Sequence, residues 1–241
     1  MPPQGPFPPG GPFPPGGYPG APASRPKRTG LVVGGAIAGA VVLMVGIGLT
    51  LALTGSKEYV SFPDCDEVFD VERYETVVGS TGLTVDGGFD PDDDDHGDLS
   101  CEITPDAEEA FMGFMVSVEV LDPTGDTWRD RAEEMDDHLA GLRDDLAPGE
   151  PGTLTFDDEE LPNAMWGPSS AGENGVVVGF SDESDYFSLG MAVNVYLVDN
   201  LAVTVVYMFD PDALDTEEAM RAVRSLGGEV ERSLGRAGEV A

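Results

Sequence analysis

Residues 31–53 form an uninterrupted apolar run with no charged side chain and Thr50 as its only hydroxyl. Such a run has no polar face to turn toward water, so it does not suit the surface of a soluble fold. As an α-helix its 23 residues would measure about 34 Å, enough to cross a hydrocarbon core of about 30 Å with some tilt. Its flanks orient it. Arg25, Lys27 and Arg28 precede it, whereas Lys57 and Glu58 nearly cancel after it. Cationic flanks stay on the cytoplasmic side, so the N-terminus is expected in the cytoplasm and the rest of the chain outside the cell membrane. A cleaved signal peptide has a shorter apolar core, about 7–15 residues, and ends in a small-x-small site. The segment Leu51-Ala52-Leu53-Thr54-Gly55-Ser56 is a poor site, and no cysteine follows closely enough for lipid attachment. An uncleaved signal-anchor is therefore expected. Gly30 and Gly34, and again Gly35 and Gly39, have the small-xxx-small spacing that lets two membrane helices approach. Gly35 and Gly39 are the helix-pairing candidates, with a homodimer as the implied assembly.

This run divides the chain. Residues 1–30 are rich in Pro and Gly and repeat Gly-Pro-Phe-Pro-Pro-Gly. Proline removes backbone donors and glycine adds chain entropy, so a disordered cytoplasmic tail with polyproline II character is expected. Its Pro-x-x-Pro matches are short and common in such composition, so a solvated spacer is the preferred reading over a ligand for a partner domain. Residues 54–60 are expected as a linker, 61–234 as the folded extracytoplasmic domain, and 235–241 as a flexible C-terminus. The charge divides with the chain: the first acidic residue is Glu58, and from Lys57 onward 9 basic residues face all 46 acids. A net charge of −37 in that part repels phosphates, which argues against nucleic-acid binding. Only Lys27 and Lys57 are lysines, a balance suited to solubility in salt rather than to one site. Both cysteines, Cys65 and Cys101, follow the apolar run, and in an oxidising compartment they are expected to form one disulfide.

Periodicity supplies the elements. Short helices are expected near residues 63–69 and 71–78, and strands at 99–104, 111–121, 175–180, 186–198 and 201–209, with a further strand at 153–156 left open. Residues 79–98, rich in Gly and Asp, read as a loop. Residues 127–146 carry Trp128, Ala132, Met135, Leu139, Leu142 and Leu146 at steps of 4 and 3, an amphipathic helix. Asp199-Asn200 is a two-residue hairpin turn. A closing helix begins at Asp215, has Met220, Val223, Leu226, Val230 and Leu234 as its apolar face, and meets a kink or break at Gly227-Gly228. The implied fold is α+β: an antiparallel sheet with helices packed on one face, preceded by the transmembrane helix and the disordered tail.

The contexts Asp64-Cys65-Asp66-Glu67-Val68-Phe69 and Leu99-Ser100-Cys101-Glu102-Ile103, together with the Pro/Gly-rich tail and lone apolar helix, resemble actinobacterial secreted or membrane-anchored one-disulfide domains of unknown function. An aromatic residue often stands two after the second cysteine in those domains, whereas this chain has Ile103. The resemblance implies no catalytic residues.

Candidate chemistry is sparse. The Asp-rich stretch 90–98 could supply oxygen ligands to Ca2+ through Asp90, Asp92, Asp94 and Asp98. It is not an EF-hand, because His96 and Ile103 occupy positions where that loop needs acids. The bland alternative is a solvated acidic loop inside the disulfide. The only histidines, His96 and His138, lack the further ligands of a zinc site and the local signature of a hydrolase, so no enzyme activity is expected. His138 shares a helix face with Glu134 and reads as a surface contact. Trp128, Trp166 and Phe180 read as core, although an exposed Met165-Trp166 pair would be a partner contact. The expected function is binding of a protein or cell-envelope ligand, with a cation-responsive ectodomain as the alternative. Protease added to intact cells should remove the domain after residue 60 and spare the tail. Survival of the domain with loss of the tail, read by terminal epitopes, would reverse the orientation.

Overall fold

A computed structural model of the chain describes residues 57–78, 81–92, 96–105, 113–156, 159–184 and 187–241. The apolar run 31–53, with Gly35 and Gly39, lies outside the described residues, as does the Pro/Gly-rich tail. Among the described residues no helix is long and apolar enough to cross a membrane.

The strands are β1 (Tyr59–Ser61), β2 (Leu83–Asp90), β3 (Gly97–Pro105), β4 (Gly113–Val120), β5 (Gly152–Phe156), β6 (Glu159–Pro168), β7 (Glu173–Ser184), β8 (Phe187–Val198), β9 (Leu201–Phe209) and β10 (Glu239–Val240). The helices are α1 (Cys65–Val68), α2 (Val71–Val78), α3 (Asp126–Asp145) and α4 (Thr216–Ala237). Eight strands form one antiparallel sheet in the order β2-β3-β4-β9-β8-β7-β6-β5. The remaining two, β1 and β10, pair with each other.

The sheet has two regimes. In β3, Leu99, Cys101 and Ile103 are buried while Asp98, Ser100 and Glu102 are exposed, the alternation of a strand with one wet face. In β8, every residue from Met191 to Leu197 is buried, as is every residue of β9 from Leu201 to Tyr207. Strands buried on both faces need a layer on each side. One layer is α4 with α1 and α2, which share a core with Val203, Val205, Tyr196 and Phe114. The other is α3, whose Trp128 and Leu139 join Val193, Val195, Val206 and Trp166. This corrects the expectation of helices on one face only: α3 lies across the sheet from the other three. The apolar runs of β8 and β9 carried that information, because a strand wetted on one face does not read as continuous Val, Leu and Ala.

Two strands stand where no strand is expected. In β2, Leu83, Val85 and Phe89 face the core, but Asp86-Gly87-Gly88 between them erases the alternation in sequence. Gly87 has φ +119°, and a Cβ there would strike the backbone oxygen of Ser100, so the strand needs glycine at that point. In β6, Pro162 and Asn163 lie at a register shift against β5, and Asn163 has φ 53°. A bulge is where a sheet tolerates proline. Trp166 is therefore not an exposed contact: it is buried, and its Nε1–H donates to the Leu146 carbonyl at 2.6 Å.

The closing helix is also longer than expected. α4 runs unbroken through Gly227-Gly228, starting at Asp215, whose carboxylate accepts from Glu218 N–H at 2.7 Å. The pair is a contact rather than a break. A Cβ on Gly227 would collide with the Asn194 amide of β8, so only glycine lets the helix lie this close. Tyr196 donates its hydroxyl to the Gly227 carbonyl at 2.9 Å, and Asn194 Nδ2 donates to the Val223 carbonyl at 3.4 Å. The domain is wider than 61–234: β10 pairs with β1, and Ala241 N–H donates to the Glu58 carbonyl at 2.9 Å. Residues 235–241 therefore belong to the fold.

The adjacent glycines should respond with opposite signs. Gly227→Ala gains about 1 kcal/mol of helix propensity but overpacks a buried amide at a cost of about 1–3 kcal/mol, for a net loss. Gly228→Ala meets only the end of the Arg232 side chain and should stabilise by up to about 1 kcal/mol. Urea titration of the two variants reads the difference.

Candidate functional site

Cys65 on α1 and Cys101 on β3 form the expected disulfide. Both are wholly buried, with Cα atoms 5.7 Å apart. The bond closes 36 residues of sequence and pins a four-residue helix that could not hold its own position. Constraining a loop of that length stabilises by about 3–4 kcal/mol in the chain-entropy model.

The Asp-rich stretch becomes the connection between β2 and β3. Asp90 and Asp98 stand directly opposite each other across the two strands, Asp92 follows β2, and Asp94 lies outside the described residues. Cross-strand like charges destabilise one another, and this pair sits on the exposed side of the hairpin. Among the described residues no group of three or more His, Cys, Asp and Glu side chains is arranged to hold a metal ion. His96 donates its backbone N–H to the Val120 carbonyl at 3.0 Å, and its Nε2 lies 3.9 Å from Glu58 Oε1. The stretch thus stands beside the residues that begin the domain. His138 lies on α3.

The same end of the sheet holds the densest set of polar contacts to the entering chain. Asn200, in the β8–β9 turn, is buried and treats Tyr59 as a neighbouring strand would. Its Oδ1 accepts from Tyr59 N–H at 2.8 Å and its Nδ2 donates to the Tyr59 carbonyl at 2.9 Å. The same Nδ2 donates to the Leu121 carbonyl at 2.8 Å, and Leu121 N–H returns a bond to the Asn200 carbonyl at 3.0 Å. Asp199, at φ 55°, accepts from Lys57 N–H at 3.0 Å. Lys57 Nζ donates to the Gly235 carbonyl at 3.3 Å and lies over the Tyr59 ring. Thr124 donates its hydroxyl and its amide to Asp122 next to this end, which lowers the Asp122 pKa. In sequence Asp199-Asn200 announces a hairpin turn and nothing more. Its second role depends on a strand some 140 positions earlier, which no local pattern reveals.

A second polar cluster joins α2 to α4. Glu229 is buried, which by itself would disfavour its charge. Hydrogen bonds from Arg232, at 2.6 Å, and Arg73, at 3.1 Å, outweigh that and hold its carboxyl below the usual range. One turn on, Ser233 bonds the Tyr74 hydroxyl at 3.1 Å and accepts from Arg236 at 3.1 Å. Burial pushes the Tyr74 phenol well up, so it stays protonated. This arrangement fastens the two helices to each other.

The class these features define is a mixed α/β domain with an eight-stranded antiparallel sheet, helices on both faces and one buried disulfide. No family model matches the chain, and no curated protein matches it. Among solved structures it is similar to the extracellular domain of PknH from Mycobacterium tuberculosis. That likeness has a TM-score of 0.43 and 11% sequence identity over 68% of this chain and 92% of that chain.

Glu229 supports a pH prediction. A carboxyl whose folded pKa is depressed adds stability that is present above its unfolded value, about 4.3, and lost as pH falls through the folded value. Glu229→Gln should cost about 1–3 kcal/mol at pH 7. The gap from the native chain should shrink toward pH 3, as read by urea midpoints at both pH values.

Proposed function

We propose that the chain is a membrane-anchored binding module: residues 31–53 span the membrane as an uncleaved signal-anchor, the N-terminal tail is cytoplasmic, and the α/β domain engages a protein or cell-envelope ligand outside. The observation that carries the reading is the buried Cys65–Cys101 disulfide in a domain that directly follows an apolar run of membrane length. Disulfides persist in oxidising compartments, and a run of that length is retained in a bilayer. The acidic surface supports the same placement, since it favours solubility in an outside medium of variable salt. Binding is preferred to catalysis because the polar clusters around Asn200 and Glu229 hold elements of the fold together.

Crosslinking of intact cells followed by recovery of the full chain tests the proposal. A discrete adduct is expected with the native chain and not with a truncated chain ending at residue 56. Recovery of no domain-dependent adduct would overturn the binding reading and leave the topology to the protease experiment.

A further inference from the structure

We infer that the sheet end carrying Asp199 and Asn200 is the surface the domain turns toward the lipid headgroups, and that this turn clamps the chain where it leaves the bilayer. The inference rests on the reading of residues 31–53 as a membrane span. Its first support is length. Four Cα steps separate Leu53 from Lys57, which limits the reach to about 14 Å. Lys57 is already tied down, so no slack follows it. Its N–H is taken by Asp199 and its Nζ by the Gly235 carbonyl. The Glu58 carbonyl is taken by Ala241 N–H, and both backbone groups of Tyr59 by the Asn200 amide.

The second support is what surrounds that point. Leu121, at the end of β4, is bonded to Asn200, and His96, at the start of β3, is bonded to Val120 and lies near Glu58. The end of β2, the start of β3 and the loop from Leu121 to Gly125 therefore share the end at which the chain enters. The loop from Asp210 to Leu214 leaves the far end of β9, about 27 Å away at the rise of an antiparallel strand.

Charge does not create this orientation. Glu58, Asp92, Asp122 and Asp199 make the end acidic, and anionic headgroups would push it away. Beyond about 8 Å that repulsion is largely screened at physiological salt. The covalent tie and its hydrogen bonds act at shorter range and decide the outcome. Lys57 then stays within about 14 Å of the end of the apolar run, which keeps this end of the domain nearer the headgroups than the far end.

The test uses the full chain in lipid nanodiscs whose headgroups carry a paramagnetic quencher. A fluorophore is placed through Thr124→Cys at the proposed near end or Ala213→Cys at the far end, both exposed positions. Quenching is expected at position 124 and its loss at position 213. Asn200→Ala should reduce the difference by loosening the domain. Because Asn200 is buried and the variant could fail to fold, Asp199→Gly provides a second release. It keeps the turn's positive φ and removes the bond to Lys57. Equal quenching at both positions in the native chain would overturn the inference, as would a difference that neither Asn200→Ala nor Asp199→Gly reduces. A native chain that does not stay with the nanodiscs would overturn the anchoring reading itself, an outcome distinct from either.

Discussion

Gly227 of α4 lies directly on Asn194 and Tyr196 of β8, and the remaining helix contacts follow from that approach. A helix kept one methyl group farther away could not place its carbonyls within reach of the Tyr196 hydroxyl and the Asn194 amide. Those two side chains are fully buried, so leaving them unpaired would cost about 1–3 kcal/mol each. With α4 set at that depth, Glu229 meets Arg73 and Ser233 meets Tyr74, which fastens α2. Farther along, Gly235 meets Lys57, and Gly238 lies against Tyr59 and Phe62, which fastens the entering strand. One helix thus connects the centre of the sheet to both ends of the domain.

The division of the sheet has a related cause. The β7–β9 region carries apolar residues on both faces and is covered by α4 on one side and α3 on the other. The β2–β4 region is covered on one side by α1 and α2, with the disulfide standing in for the core that so short a helix cannot build. Its other face is left polar, with Asp86 opposite Glu102 and Asp90 opposite Asp98. Repulsion between such pairs weakens pairing at the sheet edge, and a charged edge also resists pairing with another chain.

The polar clusters, taken together, serve attachment. Asn200 joins three segments far apart in sequence, and Glu229 joins two helices.

The sequence by itself determined what local composition can determine. The apolar length of residues 31–53 and its cationic flank carry the expectation of a span and an orientation, because transfer into lipid depends on composition rather than on partners. The amphipathic stripe from Trp128 to Leu146, the cap at Asp215, the turn at Asp199-Asn200 and the pairing of the two cysteines were legible for the same reason. Tertiary structure decided the rest. β2 and β6 are strands although Gly87-Gly88 and Pro162-Asn163 spoil their patterns, because pairing with β3 and β7 outweighs weak propensity. Gly227-Gly228 continues a helix because a sheet lies against it, a fact absent from the helix's own residues. The second layer under α3 and the clamp on Tyr59 depend on contacts between distant segments, and only folding brings those segments together.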